Sequence, residues 1–86
     1  MDMFKHSDET LVSEALEGSQ LAFERLVKQY QYHVLKTALS VLNDEQAAQD
    51  VAQETFLSAY INLMKLRDKR KFGGWLTQIT INLSKR

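Results

Sequence analysis

The sequence predicts an all-α fold, a compact bundle of about four helices. Three observations carry this expectation. Apolar residues recur at spacings of three and four over long stretches, the period of a helix face. Apolar–polar alternation never persists beyond a few residues, so no strand is legible. Proline is absent and glycine occurs only at Gly18, Gly73 and Gly74, a composition that favours long helices over hairpins.

The first helix is expected from about Asp8 to Glu17. Ser7 is its candidate N-cap, acids fill its first turn, and Gly18 is a natural stop. Leu11, Val12, Ala15 and Leu16 form its apolar side. The second starts after Ser19, another candidate N-cap, and runs to about Leu42. Phe23, Leu26, Val27, Tyr30, Val34, Thr37, Ala38 and Val41 lie on one stripe, widened by Leu35, Leu39 and Leu42. A helix apolar over so wide an arc is expected to be covered on two sides. Tyr32 falls off the stripe and reads as a surface aromatic.

Asn43-Asp44-Glu45 interrupts the pattern and supplies a cap. The third helix is expected from about Glu45 to Met64, with Ala48, Val51, Ala52, Thr55, Phe56, Ala59, Tyr60 and Leu63 as its core stripe. Lys65 to Lys71 reads as a charged connector. A fourth helix begins between Phe72 and Gly74 and continues to the end, with Trp75, Leu76, Ile79 and Leu83 as core contacts. Each glycine costs about 1 kcal/mol inside a helix, which places Gly73 and Gly74 at its entrance.

A chain of 86 residues fits one domain with a small core. Without cysteine there is no disulfide framework and no Cys-based zinc site. Met1-Asp2-Met3-Phe4-Lys5 lacks a signal-peptide layout, and no apolar run approaches the ~18 residues of a membrane span, so a cytoplasmic protein without membrane insertion is expected. No cofactor is implied. Charge is segregated within a net of zero. Residues 1–64 hold ten acids and four bases, and residues 65–86 seven bases and one acid. An acidic body with a basic end fits two kinds of contact, one of them with nucleic acid, and fits equally a solvated surface with a basic tail.

Enzyme chemistry finds no support. His6 and His33 sit in unrelated places, and neither belongs to a metal-ligand spacing. His33 reads as a surface or boundary side chain. Asp50 and Glu54 are one helical turn apart, but acid–base work needs a pocket and differently tuned partners. Gly73-Gly74 is no phosphate loop, since it follows no strand and precedes no Lys-Ser/Thr pair.

The third helix poses its own question. Asp50, Gln53, Glu54, Leu57 and Ile61 fall between roughly 140° and 240° from the core stripe on a helical wheel. That face is acidic, amide-rich and carries two aliphatics, as a docking surface does when its partner presents arginines. It also fits a tolerated exposed leucine, since single exposed aliphatics are common.

"DVAQETFLSAY" at 50–60 followed by "KFGGWLTQITIN" at 71–82 resembles domain 2 of bacterial RNA polymerase sigma factors of the extracytoplasmic-function type. The family pattern is matched at Asp50, Gln53, Glu54, Phe56, Ala59, Tyr60, Phe72, Trp75, Leu76, Ile79 and Asn82. "GSQLAFERLVKQYQ" at 18–31 is similar to the family's opening helices, so the resemblance covers nearly the whole chain.

The resemblance implies a non-catalytic transcription-initiation domain spanning residues 1–86. A second, helix-turn-helix domain would follow in the full-length protein. Asp50, Gln53, Glu54, Leu57 and Ile61 would meet the clamp helices of the polymerase β′ subunit. The loop after the third helix would capture the single-stranded promoter minus-ten element. Lys65, Arg67, Lys69, Arg70 and Lys71 would contact phosphate there, and Asn62, Leu66 and Asn82 would line a base pocket. Lys85 and Arg86 would face upstream duplex. An anti-sigma factor would cover both surfaces. Phe56, Tyr60 and Trp75 read as core and Phe72 as core or core boundary, leaving few aromatics free for stacking. Two departures from the pattern stand out. Gly73-Gly74 would loosen the helix entrance or let backbone N–H groups approach a phosphate. Thr80-Ile81 puts duplex contacts there in doubt. The competing expectation is a helical protein-interaction adaptor that uses the Asp50–Ile61 face and binds no DNA.

Overall fold

The computed structural model describes residues 8–86. The helices are α1 (Asp8–Leu16), α2 (Gln20–Leu42), α3 (Glu45–Ile61) and α4 (Phe72–Ser84). Two short 3-10 turns, Leu63–Lys65 and Lys69–Lys71, fill the connection between α3 and α4. No strand occurs among the described residues. The expected caps at Ser7 and the site of His6 lie outside the described residues.

Local chemistry explains the boundaries. Gly18, at φ +106°, adopts a backbone conformation that side chains disfavour. It lets Gly18 N–H donate to Ala15 O and Ser19 N–H to Glu14 O, the double closure of a Schellman motif. Ser19 then starts α2 by accepting from the Ala22 N–H at 3.1 Å. Asn43, at φ +53°, ends α2, and Asp44 caps α3 by accepting from the Ala47 N–H at 3.0 Å. The third helix closes at Ile61, three residues short of the expected Met64. Asn62 is the cause: its side chain donates to the Ser58 carbonyl at 2.9 Å, and the backbone tightens into the first 3-10 turn.

The helix α2 is central and packs against α1, α3 and α4. The main core joins Leu11 and Val12 of α1, Phe23, Leu26 and Val34 of α2, Ala59, Leu63 and Leu66 around the end of α3, and Phe72 and Leu76 of α4. A smaller cluster of Ala38, Ala48 and Val51, with Leu35, Leu42 and Leu83 against it, closes the other end. The wide apolar arc of α2 is only partly covered. Leu39 and Val41 keep more than a third of their surface exposed. The nine-residue α1 extends only ~13 Å and contributes nothing to the second cluster. Leu16, expected in the core, is exposed at the end of α1.

The aromatic residues also depart from expectation. Tyr60 meets the core residue Phe23 edge-on (centroids 5.1 Å apart) and stays 53% exposed. Trp75 is half-buried and leans on Phe72. Phe72 itself is wholly buried, edge-on to Tyr30. Both Tyr60 and Trp75 have an apolar body and a polar tip, a combination suited to a boundary.

Three hydroxyls lie in the core. Thr80 donates to the Leu76 carbonyl and Ser84 to the Thr80 carbonyl, so each is satisfied within α4. The Oγ1 of Thr55 is wholly buried and has no partner among the described residues. An unpaired buried hydroxyl costs about 1–3 kcal/mol. Thr55→Val is therefore expected to raise stability by about 1 kcal/mol, read as a higher urea midpoint at unchanged slope. A lowered midpoint contradicts this.

At the α1–α2–α4 junction the Tyr30 hydroxyl donates to Asp8. A Cβ on Gly73 would lie 2.8 Å from the Tyr30 oxygen, so any larger residue there must push the Tyr30 ring aside. Burial, then the hydrogen bond and charge of Asp8, push the Tyr30 hydroxyl up to about 12. A folded-state value above the unfolded one favours the native state below pH ~10, and that contribution is lost as pH rises toward 12. Wild type is expected to lose more stability than Tyr30→Phe between pH 9 and pH 11.5 in urea titrations. Equal losses contradict the assignment. His33, exposed as expected, bridges α2 to α4: Thr77 donates its hydroxyl to Gly73 O and accepts from the His33 Nε2–H at 2.8 Å.

Candidate docking face and basic groove

The outer face of α3 follows from its capping and register. With Val51, Thr55 and Ala59 turned inward, Asp50, Gln53, Leu57 and Ile61 are exposed and Glu54 is half-exposed. Leu57 and Ile61 expose 59% and 68% of their surface. Tyr60 and Met64, which the sequence placed in the core and at the helix end, extend the strip. The wheel contained the signal for Tyr60, which lies between the core and outer faces. The result is one continuous face, carboxylate and amide at its N-terminal end and apolar at its C-terminal end.

Glu54 is engaged within the chain. Arg86 donates Nη1–H and Nη2–H to its two carboxylate oxygens, both at 2.8 Å. That bidentate hydrogen bonding, with the attraction of the charges, holds the Glu54 carboxyl below its ordinary range. Arg86, assigned from the sequence to duplex DNA, and Glu54, assigned to the polymerase, therefore form a single clasp. Asp50 accepts a longer hydrogen bond from Gln46 at 3.3 Å.

The clasp also fixes where the end of α4 lies: beside the middle of α3. Asn82 is ten residues from Phe72, hence ~15 Å along the helix from the loop. It is exposed and accepts from the Gln78 side chain. Asn82, Lys85 and Arg86 are thus toward the far end of α4 from the loop. Asn62 is committed to capping α3.

The loop forms a groove of about 600 Å³ lined by Lys65, Leu66, Arg67, Asp68, Lys71, Gly74 and Trp75. Its floor is the half-buried indole of Trp75 and the edge of the buried Leu66. Exposed Lys65, Arg67 and Lys71 stand around it. No side chain is added at Gly74, which faces open space. Lys69 and Arg70 lie on the other side, where Glu9 of α1, Arg67, Asp68, Lys69 and Arg70 line a second groove. The sequence placed five cations in one connector; the fold divides them between two grooves.

Comparison with known proteins decides the family. The model of sigma-70 region 2 matches residues 26–86. This chain belongs to the sigma-70 region 2 family. It is 40% identical over 81 residues to the RNA polymerase sigma-H factor of Pseudomonas aeruginosa, covering 94% of this chain and 42% of that protein. It is 33% identical over 73 residues to the ECF RNA polymerase sigma factor SigW of Bacillus subtilis, covering 85% of this chain and 39% of the relative. It is 35% identical over 79 residues to the ECF RNA polymerase sigma-E factor of Escherichia coli, covering 92% and 41%. This region 2 thus spans about two-fifths of the length of these relatives, and its likeness to extracytoplasmic-function factors agrees with the motifs at 50–60 and 71–82. No helix among the described residues is long and apolar enough to cross a membrane.

Proposed function

We propose that this chain acts in transcription initiation, docking on the β′ clamp helices of bacterial RNA polymerase and holding the non-template strand of the promoter minus-ten element. The supporting observation is the separation of two unlike surfaces on one small bundle. The outer face of α3 offers Asp50, Gln53 and Glu54 beside the apolar Leu57, Tyr60 and Ile61. A helix of basic and aliphatic character can lie along it, pairing charge at one end and burying apolar surface at the other. Docking would displace Arg86 from Glu54. Such work would be done in the bacterial cytoplasm. An anti-sigma factor that covers the α3 strip would prevent it.

The groove supplies the DNA chemistry. Lys65, Arg67 and Lys71 can each meet a phosphate, giving affinity without sequence information. A base turned out of its stack can lie on the Trp75 face, a contact worth about 1–3 kcal/mol. Trp75 thereby takes the stacking role that the sequence reading withheld, and Leu66 remains a wall of the pocket. A single-stranded minus-ten oligonucleotide is expected to bind with a log–log salt slope of about −2, three phosphates at ~0.7 each. Replacing Lys65, Arg67 and Lys71 together by glutamine should flatten that slope nearly to zero. Fluorescence anisotropy across salt measures both. Unchanged binding by the triple variant contradicts the groove assignment; no binding by wild type favours an adaptor that works through α3 alone.

A further inference from the structure

Building on the groove's proposed role in holding DNA, we infer that Asp68 is a built-in counter-charge. It commits Arg70 to the fold, leaves Lys65, Arg67 and Lys71 as the phosphate-binding set, and thereby caps the affinity of the groove for DNA.

Asp68 accepts three hydrogen bonds from one residue: the Arg70 backbone N–H at 3.0 Å, its Nε–H at 3.1 Å and its Nη2–H at 3.1 Å. The first caps the second 3-10 turn; the other two occupy the guanidinium fork. Glu9 of α1, which packs on this turn, lines the same groove as Arg70. Arg70 is thus paired with Asp68 and, unlike Lys65, Arg67 and Lys71, does not line the groove that holds Trp75. A phosphate seeking the Nε–Nη2 edge would have to displace Asp68, and one on the remaining N–H groups would lie beside that carboxylate.

The position of Asp68 matters as much as its bonds. It lines both grooves, as Arg67 does, and so sits between the cations around Trp75 and those beside Glu9. Its negative charge stands beside Lys65, Arg67 and Lys71 and lowers the positive potential that they present to DNA. The hydrogen bonds from Arg70, aided by the charges of Arg70 and Lys71, hold the Asp68 carboxyl below its ordinary range. An asparagine here retains an oxygen that can cap the turn but removes the charge that holds the guanidinium.

The test is anisotropy titration of a single-stranded minus-ten oligonucleotide between 50 and 200 mM salt. It compares wild type, Asp68→Asn, Arg70→Gln and the double variant, each first shown by circular dichroism to be folded. Asp68→Asn is expected to bind about threefold tighter at 50 mM and to steepen the slope by about 0.7, one phosphate gained. Arg70→Gln alone should leave the slope at its wild-type value, because Arg70 meets no phosphate there. In the double variant the steepening should disappear while part of the tightening, due to the lost negative charge, remains. If wild type binds and Asp68→Asn binds no tighter, or if Arg70→Gln alone flattens the slope by ~0.7, the counter-charge is overturned while the groove stands. If neither wild type nor Asp68→Asn binds, the groove is no DNA site and both readings fall.

Discussion

Phe72→Ala is expected to remove cooperative folding at physiological temperature, and with it every binding activity of the chain. Phe72 has no exposed surface and opens α4. Its ring meets Tyr30 edge-on at 5.5 Å and Trp75 at 6.0 Å. It also shares the main core with Leu11, Val12, Leu26 and Leu76, so three helices depend on one side chain. Truncating a buried phenylalanine costs about 3–5 kcal/mol. Domains of this size have a total stability near the low end of about 5–15 kcal/mol. The substitution therefore consumes most of the margin. Thermal unfolding followed at 222 nm should show a midpoint lowered by at least ~15 °C, or no transition. Phe72→Leu, which keeps most of the volume, should retain a cooperative transition. A midpoint within a few degrees of wild type in the alanine variant contradicts the place given to Phe72 in the core.

Phe72 also illustrates what the sequence makes legible. Its place was legible only as core or core boundary, whereas those of Leu26, Val34, Ala59 and Leu76 followed from the 3–4 spacing of apolar residues. The caps at Ser19 and Asp44 and the stop at Gly18 were readable for a different reason. Each depends on one residue satisfying its neighbours' backbone groups, which is local chemistry. The early end of α3 was not readable, because Leu63 and Met64 continue the apolar period. Only the side chain of Asn62 turns the chain there. Tyr60 was misplaced because a wheel position near the core edge does not say how far an amphipathic ring is covered.

The site divides in the same way. The outer face of α3 was visible because a helix orders its residues by angle. The Glu54–Arg86 clasp joins residues 32 apart in sequence, and the Gly73–Tyr30 contact likewise depends on how separate helices meet. No periodicity encodes either. The basic loop was recognised by charge. Its division into two grooves by Asp68 depends on the path of two 3-10 turns, which propensity does not specify.

The second large effect concerns docking. Asp50→Arg together with Glu54→Arg reverses both charges at the N-terminal end of the α3 strip and sets cation against cation in the complex. Arg86 would also lose its partner. Both positions are on the outer face, away from the core residues Val51, Thr55 and Ala59, so the fold should survive. Truncating one partner of a desolvated interfacial pair typically costs 2–5 kcal/mol, and juxtaposed like charges add to that. Binding to the clamp helices should weaken by at least ~30-fold. The apolar contacts of Leu57, Tyr60 and Ile61 alone should not restore it.

Calorimetric titration of an isolated β′ clamp-helix fragment into this chain is the direct measurement. Saturable one-to-one binding by wild type, lost in the folded Asp50→Arg, Glu54→Arg variant, is the predicted result. No binding by wild type, or equal affinity in the charge-reversed variant, contradicts docking through the outer face of α3.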